Sequence, residues 1–356
     1  MNVALAWRDS RNTVIISSLG ILLFISVLFS LTVGAVSVPV SDVIIIMLQK
    51  VGLFKSASVD SVHEVVLSSI RIPRILMTLL IGGSLGVCGA ALQGLFRNPL
   101  VEPSLIGVSG GAAAGVVFLI VFGSSTILVQ TKGLLYHAVL PMTAFAGGLL
   151  TTFLILRLSN YAGKTNIPVL ILVGVAINAL AGAVIGLAVF YADEDQLRTF
   201  TFWTLGDLGG ASWETLAIAA PLLVLSTAML LFFSPSLNAL ALGEAEAYHM
   251  GVDVERTKRL IILCCALGVG VSVSMAGIIG FVGLVVPHLV RVLFHSDNRL
   301  VLPASILGGA WLLIIADLIA RTIVTPSELP IGVVTALIGS PFFIMLLLKA
   351  NLKNEI

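Results

Sequence analysis

The feature that most constrains this fold is a sequence outline that occurs twice along the chain. The first copy begins at Arg71 with RIPR and continues as an apolar, glycine-rich stretch to an Asn-Pro turn. Four residues of this stretch recur 185 positions later, and two prolines farther along recur 162 positions later. The pairs are Arg71 and Arg256, Arg74 and Arg259, Gly83 and Gly268, Phe96 and Phe281, Pro141 and Pro303, and Pro168 and Pro330. A membrane module used twice is typical of a transporter, whose pathway lies between the copies.

The composition indicates an integral membrane protein. Hydrophobic residues make up 58% of the chain and charged residues only 10%, with a mean hydropathy of +1.12. A soluble domain carries about 25% charged residues, so its surface could not be built from this sequence. The net charge of +1 gives no reason to expect nucleic acid as a partner.

No motif for catalysis, nucleotide binding or metal binding is present in the sequence. It contains no GxxxxGK[ST], HExxH, GxSxG or paired CxxC. The three cysteines lie in apolar segments and read as packing residues, and the histidines are dispersed. We therefore expect no enzyme activity, bound cofactor or metal site in this chain, and energy must come from a partner or an ion gradient. The cysteines are Cys88, Cys264 and Cys265, and the histidines are His63, His137, His249, His288 and His295.

Ten segments are long and apolar enough to be membrane spans. The third and eighth are flanked by Gly/Pro-rich breaks, and such breaks are tolerated only where protein or water satisfies the freed backbone groups. We expect both breaks inside the bundle or at its mouth, and short surface helices or turns at 40–52 and 199–210. The predicted spans are 13–36, 71–96, 104–123, 134–156, 167–191, 214–234, 257–276, 278–295, 301–323 and 331–349.

The distribution of Lys and Arg predicts that both termini are cytoplasmic, with twelve basic residues inside and seven outside. In this topology one repeat, 71–191, begins outside and the other, 256–349, begins inside, each with four spans. The predicted fold is therefore an all-α membrane protein of ten transmembrane helices with an inverted repeat formed by spans 2–5 and 7–10. The offset between the copies falls from 185 to 162 because the first copy has more connecting sequence, chiefly at 124–138.

The long cytoplasmic connection 235–256 has the character of a docking segment. Pro235, Gly243 and Gly251 divide it into short helical pieces. It keeps apolar residues in a loop where a simple linker would be polar, which indicates a protein partner on the cytoplasmic side. The apolar residues are Leu237, Leu240, Leu242 and Met250.

Charged residues within the spans bear on the alternative of an ion-gradient-driven carrier. Asp317 lies four residues before Arg321, so the two share a helix face and can pair. No span carries a lone carboxylate near its middle. This makes a secondary carrier the weaker hypothesis without excluding it, and a membrane-embedded enzyme is weaker still.

Five segments together resemble one family, in order and over nearly the whole chain. They are RIPR at 71–74, QGLFRNPLVEPSLIGVSGG at 93–111, LGEAEAYHMGV at 242–252, GIIGFVGLVVPHLVR at 277–291 and ELPIGVVTALIGSPFFI at 328–344. The chain is similar to the permeases of binding-protein-dependent ABC importers for iron-siderophores, haem and vitamin B12. The resemblance implies a bacterial inner-membrane homodimer with one pathway at the dimer interface. It also implies two cytoplasmic ATPase subunits that carry ATP and Mg, and one periplasmic substrate-binding protein.

The resemblance assigns roles to two groups of residues. The ATPase-contacting loop of the family matches 237–252, with Leu242, Gly243, Glu244, Ala247 and Gly251 fitting its pattern. The outer arginines of the family, which meet carboxylates of the binding protein, match Arg71, Arg74 and Arg321. The alternative for these arginines is that they only extend to the membrane interface.

The resemblance also implies a cytoplasmic gate and a pathway. In the vitamin B12 permease the gate lies at an Asn-Pro-Leu turn and near the start of the fifth span. The turn matches Asn98, Pro99 and Leu100 here, and the start of the fifth span matches Ile167 and Pro168. Arg97 stands where that permease has Glu, so its gate electrostatics do not transfer. The alternative for the turn is an ordinary helix end. We expect the pathway to be lined by small residues and few charges, namely Gly82, Gly83, Gly86, Ala90, Gly174 and Asn178.

The cargo is less constrained by the sequence than the class of protein. LFRNPL and PSELPIGVVTALIGSPFF look most like the haem permeases of the family. Haem is therefore the leading substrate, followed by an iron-siderophore and cobalamin. His288 lies in a PHxxR motif that occurs across the family whatever the substrate, and we interpret it as a structural histidine at a span end.

Overall fold

The computed structural model describes residues 2–50, 52, 59–123, 134–161 and 163–354, and these form a bundle of helices. A π-helical turn, Val66–Arg71, precedes α4, and a 3-10 turn, Pro103–Ile106, precedes α5. A two-stranded antiparallel hairpin, Asn160–Tyr161 with Lys164–Thr165, precedes α7. The helices are α1 (Asn2–Thr32), α2 (Val40–Lys50), α3 (Ser61–Val65), α4 (Ile72–Phe96), α5 (Val108–Phe122), α6 (Leu134–Leu158), α7 (Ile167–Tyr191), α8 (Glu194–Leu205), α9 (Trp213–Phe232), α10 (Ser234–Leu242), α11 (Glu244–His249), α12 (Val254–Ala276), α13 (Val282–Leu293), α14 (Asn298–Ala320) and α15 (Ile331–Asn354).

The prediction of an all-α, multi-pass membrane fold is confirmed. Within the described residues, seven helical stretches are long and apolar enough to cross a membrane. Three shorter apolar helices, α5, α13 and the part of α15 from Ile331 to Met345, occupy the remaining predicted spans. The third and eighth spans are short because the chain is not α-helical through the breaks that precede them. Each of the ten predicted spans therefore has a helix at its position.

Two helix boundaries differ from the sequence prediction. The second span begins at Ser61, ten residues before Arg71, because the π-helical turn continues α3 into α4. The short surface helix predicted at 199–210 is α8, which begins at Glu194. The side chain of Asp193 accepts a hydrogen bond from the backbone N–H of Gln196, and the Gln196 side chain accepts one from the backbone N–H of Asp193. Most of the predicted interruption at 124–138 lies outside the described residues, as do Lys55 and Lys132, two of the seven basic residues predicted to be outside.

Helix α4 is the centre of the bundle, and its glycines allow other backbones to approach closely. A Cβ atom at Gly82 or Gly86 would collide with the backbone of α14, and one at Gly89 would collide with the carbonyl group of Gly283 in α13. Small residues at such contacts let membrane helices pack backbone to backbone. The prediction that Gly82, Gly83, Gly86 and Ala90 line the pathway is therefore wrong, because this face is buried inside the subunit.

Packing between helices follows the proposed repeat. Helix α4 packs on α13 and α14, and its counterpart α12 packs on α5 and α6. The two counterparts also pack on each other. Each first helix of a repeat thus contacts the second and third helices of the other repeat. This pairing supports two interlocked copies, while their limits at 71–191 and 256–349 stay a prediction.

The two breaks meet inside the bundle. Glu102, in the connection between α4 and α5, accepts a hydrogen bond from the backbone N–H of Phe281 at 3.1 Å. Gln93 of α4 donates to the carbonyl oxygen of Leu284 at 3.1 Å, and the ring of Pro103 lies against Gly283. Protein groups therefore satisfy backbone atoms at the second break, and the first break packs against it. The prediction that the breaks lie within the bundle or at its mouth is confirmed.

Candidate functional site

Three of the candidate residues form a buried charged cluster at one end of the bundle, which we call the outer end. The guanidinium group of Arg74 donates to Asp317 Oδ1 at 2.8 Å and to Glu328 Oε2 at 2.8 Å. Asp317 also pairs with Arg321, four residues later on α14, at 3.4 Å. The predicted pairing of Asp317 with Arg321 is confirmed. The closer partner, Arg74, was not predicted because it lies 243 positions away in the chain.

The same cluster holds the end of the first span. Arg71 donates to the carbonyl oxygen of Leu31 at 2.6 Å and to that of Val36. Arg321 donates to the carbonyl oxygen of Ser30 at 2.7 Å. The last carbonyl groups of a helix have no partner within the helix, and cations are favoured there. The two arginines therefore fix the end of α1 to the bundle.

The structure does not leave these arginines in the free, outward-facing position that a docking role requires. Arg71, Arg74 and Arg321 are 4%, 8% and 5% exposed. Each has partners within the chain, which the sequence analysis did not predict for Arg71 and Arg74. Burial of these side chains argues against the alternative that they only extend to the membrane interface. Contact of this cluster with a binding protein stays a prediction.

A cavity of about 880 Å³ lies beside this cluster at the outer end. Its size is within the range of sites that hold small molecules and cofactors. The backbone around it is closely joined, because Ile331 N–H donates to Gly206 O at 3.0 Å and Asp207 N–H donates to Ala276 O at 2.9 Å. Sequence reasoning missed this cavity, since its walls come from distant segments. The lining includes Arg74, Met77, Trp203, Asp207, Leu208 and Glu328.

At the opposite end, which we call the inner end, α4 finishes in the predicted Asn-Pro turn. Arg97 ends the helix in the left-handed conformation, with φ of 51°. The side chain of Asn98 accepts a hydrogen bond from the backbone N–H of Leu100 at 3.0 Å, which is the local bond that makes Asn a turn former. Asn98, Pro99 and Leu100 are exposed. They are therefore accessible for a gate, whose action stays a prediction.

The second gate position begins α7, directly after the hairpin. Asn166 caps the helix, since its side chain accepts from the backbone N–H of Val169 at 3.2 Å. Pro168 lies in the first turn, where a missing N–H group costs nothing. Pro168 is exposed and Ile167 is partly buried.

Two residues predicted to line the pathway contact other parts of the same subunit. Gly174 is buried, and a Cβ atom there would collide with the carbonyl oxygen of Leu105. Asn178 donates to the carbonyl oxygen of Ser104 at 3.4 Å. Both residues therefore support the turn before α5, and their place in the translocation path stays a prediction. Asn178 is partly buried on the same side of α7.

The connection 235–256, called the coupling loop below, folds into α10 and α11. Gly243 separates the two helices with φ of 146°, and Gly251 follows α11 with φ of 86°. These conformations strain residues that carry a side chain, so the predicted breaks at Gly243 and Gly251 are confirmed. Leu237 and Leu240 are buried against the bundle, and so is Ala247.

The outward surface of the coupling loop is apolar. Leu242, Tyr248 and Met250 are 68%, 70% and 64% exposed. Three large apolar side chains on a water-facing segment favour a protein partner. Leu242 and Met250 were predicted from the sequence, but their separation from the buried Leu237 and Leu240 becomes clear only when both helices are in place.

His288 and the cysteines have no ligand-like arrangement. Within the described residues, no group of three or more His, Cys, Asp or Glu side chains could hold a metal ion. His288 lies in the middle of α13 and not at a span end, which corrects the sequence interpretation. Cys88 and Cys265 are buried where α4 contacts α12, and Cys265 Sγ lies 3.7 Å from the carbonyl oxygen of Cys88.

Comparisons with known proteins agree with this geometry. The model of the FecCD transport family matches residues 22–349. The hemin transport system permease protein of Yersinia pestis is 41% identical over 92% of this chain and 93% of its own. The cobalamin import system permease protein of Halobacterium salinarum is 41% identical over 81% of this chain and 75% of its own. A solved structure described as an inward-facing conformation of a metal-chelate type ABC transporter superposes with a TM-score of 0.80 and 33% identity. That likeness covers 94% of this chain and 99% of the solved chain.

Proposed function

This chain belongs to the FecCD transport family and is the permease subunit of an ABC importer, and from that premise we propose that it carries haem inward across the membrane. The observation that carries the choice of haem is the similarity to the hemin permease over more than nine tenths of both chains. The match to the cobalamin permease of Halobacterium salinarum has the same identity but covers only 75% of that permease. A related iron complex, such as a ferric siderophore, is the nearest variant of this proposal.

The second candidate cargo is cobalamin. The vitamin B12 import system permease protein of Vibrio cholerae is 42% identical over 82% of this chain, so identity alone does not separate the two cargoes. Both haem and cobalamin are broad, rigid molecules built around a metal. A permease that receives either one from a binding protein needs a wide apolar passage more than a tight site, because a tight site would slow release.

The proposed assembly contains two copies of this chain. Among the seven spans in the described part of the chain, α7 has the least protein cover, with 17% of its most apolar stretch buried, compared with 83% for the span that contains α4. An apolar helix with so little protein cover requires lipid or another subunit. We place a homodimer interface with a single pathway beside α7, which brings Ile167 and Pro168 of both copies to the inner end of that pathway.

Two further partners complete the proposed importer in the bacterial inner membrane. The apolar surface of Leu242, Tyr248 and Met250 supports docking of one ATPase subunit on each coupling loop, with ATP and Mg bound by that partner. A periplasmic binding protein would deliver the cargo to the outer end. For a carboxylate of the binding protein to dock on Arg74, it would have to replace Glu328 as the partner of Arg74. The side chain of Glu328 is 42% exposed. Both termini of the permease are then cytoplasmic.

A gradient-driven carrier is less well supported. Such carriers rely on ionisable groups in the membrane that change partner or protonation. In the described residues, the buried charges Arg74, Asp317, Lys258 and Arg321 have partners of opposite charge, and the buried Arg71 donates to carbonyl oxygens. The apolar surface of the coupling loop would have no purpose in a carrier that works alone.

The cargo is tested on the cognate binding protein. Haem, cyanocobalamin and a ferric siderophore are titrated separately into the purified binding protein, and binding is followed by absorbance and by tryptophan fluorescence. We expect saturable binding of haem at a stoichiometry of one. Selective capture of cyanocobalamin or the siderophore would contradict the choice of haem and leave the permease function intact.

A further inference from the structure

A buried lysine lies between the coupling loop and the first residues of α7. Lys258 is in the second turn of α12, and its side chain is only 3% exposed. Burying an ammonium group is costly unless opposite charges and hydrogen-bond acceptors surround it. A lysine held in this way therefore has a defined set of partners.

Lys258 has three partners, which matches the three N–H donors of an ammonium group. Its Nζ atom lies 2.7 Å from Glu244 Oε2, 3.1 Å from Glu255 Oε1 and 3.2 Å from the carbonyl oxygen of Thr165. Glu244 is the first residue of α11 in the coupling loop, and Thr165 ends the hairpin. One side chain thus joins the loop to the hairpin.

The hairpin is held to α12 at two more points. The backbone N–H of Thr165 donates to Glu255 Oε2 at 2.6 Å. Arg259 donates to the carbonyl oxygen of Gly163 at 2.6 Å. The first two turns of α12 therefore bind the hairpin through three side chains on one face of the helix, Glu255, Lys258 and Arg259.

The hairpin leads directly into α7. Thr165 is followed by Asn166, which caps α7, and then by Ile167 and Pro168 at the proposed gate. Only one residue separates Thr165, which Lys258 contacts, from the first residue of α7. Displacement of α11 away from Lys258 would leave a buried cation short of an acceptor, so moving the hairpin with the loop is favoured over breaking the contact.

We propose that Lys258 is the positioning residue that transmits movement of the coupling loop to the inner end of α7. This inference rests on the proposed function, because it requires an ATPase on the loop and a gate at Ile167 and Pro168. Lys258 itself contacts neither nucleotide nor cargo. Its contribution is to make α11, the hairpin and the start of α7 move together.

The test uses the reconstituted complex of permease, ATPase and binding protein, with Lys258→Met and Glu244→Gln compared with the wild type. Two quantities are measured: cargo transported per ATP hydrolysed, and the ATP-dependent change in distance between spin labels at Val169→Cys in the two copies. The native cysteines are buried, so labelling is selective. In Lys258→Met we expect the transport ratio to fall at least about tenfold and the distance change to disappear, while the ATPase still co-purifies.

Two controls separate transmission from stability. Arg157→Met removes an exposed cation at the end of α6, outside the coupling loop, and its ratio should equal that of the wild type. Glu244→Gln keeps the size of a partly exposed side chain and removes its charge, so it should lower the ratio even if Lys258→Met fails to assemble. A purely structural role would lower the yield of protein without changing transport per ATP.

The outcomes distinguish this inference from the proposed function. Absence of ATP-dependent uptake by the wild-type complex would contradict the proposed function. Normal wild-type uptake with an unchanged ratio and an unchanged label movement in both variants would overturn the role of Lys258 alone.

Discussion

The carboxylate of Glu102 accepts a hydrogen bond from the backbone N–H of Phe281 at 3.1 Å, so the break of one repeat caps the start of the broken helix in the other. The two residues are 179 positions apart. Phe281 itself has a left-handed backbone, with φ of 68°. Such a conformation in a bulky residue persists only where its surroundings hold it, and Glu102 provides one of those contacts.

Replacing Glu102 should therefore destabilise the eighth span. Glu102→Ala removes the acceptor for Phe281 N–H, and loss of a helix cap costs about 0.5–2 kcal/mol. Glu102→Gln is the matched control because its amide oxygen can still accept this bond. Thermal unfolding of the detergent-solubilised permease should show a lower midpoint for Glu102→Ala than for Glu102→Gln, and equal midpoints would contradict the capping role.

Close packing of α4 on α13 makes a second prediction. Gly89→Ala places a methyl group against the backbone of Gly283, which cannot move aside as a flexible side chain can. Overpacking of this kind costs about 1–3 kcal/mol. Gly20→Ala on α1 is the control, because a Cβ atom there meets nothing within 4 Å. We expect reduced thermal stability only in Gly89→Ala, and similar stability of the two variants would show that this contact is looser than described.

These contacts show what could be predicted from the sequence. The spans, the two breaks and the glycine positions of the coupling loop were predictable, since apolar length and Gly/Pro placement act locally. The burial of Arg71, Arg74 and Arg321 was not, because their partners Leu31, Asp317 and Glu328 come from distant segments. The glycine face of α4 was assigned to the pathway for the same reason, since a small-residue face suits a channel wall and a helix contact equally well.

The conformation of Gly243 predicts the effect of a proline in the coupling loop. Proline fixes φ near −65° and lacks an N–H group, whereas Gly243 has φ of 146° and donates to the carbonyl oxygen of Leu240 at 3.2 Å. Gly243→Pro should therefore reorient α11 and uncouple ATP hydrolysis from transport. Both activities are measured in the reconstituted complex, together with co-purification of the ATPase.

Ala245→Pro is the control for that experiment. Ala245 is exposed in the first turn of α11, where proline is tolerated. Its transport per ATP should stay near the wild-type value. Normal transport and normal co-purification of the ATPase in Gly243→Pro would count against the coupling role of this loop.

The outer cluster predicts an unequal effect of its two carboxylate contacts. Arg74→Met leaves Asp317, which is fully buried, without its closest cation, and breaking a buried pair costs about 3–5 kcal/mol. Glu328→Gln alters a contact whose acceptor is 42% exposed, which is worth about 1 kcal/mol or less. Thermal unfolding should rank Arg74→Met far below Glu328→Gln, and the reverse order would show that the Asp317 contact does not hold the cluster.

Uptake by the complete importer tests the central claim most directly. Permease, ATPase and binding protein are reconstituted in liposomes, and haem accumulation is measured with ATP and with a non-hydrolysable analogue, each with and without the binding protein. We predict haem uptake only when ATP and the binding protein are both present. Haem uptake that persists without ATP, or that an ion gradient alone sustains, would contradict the assignment of this chain as the permease of an ATP-driven haem importer.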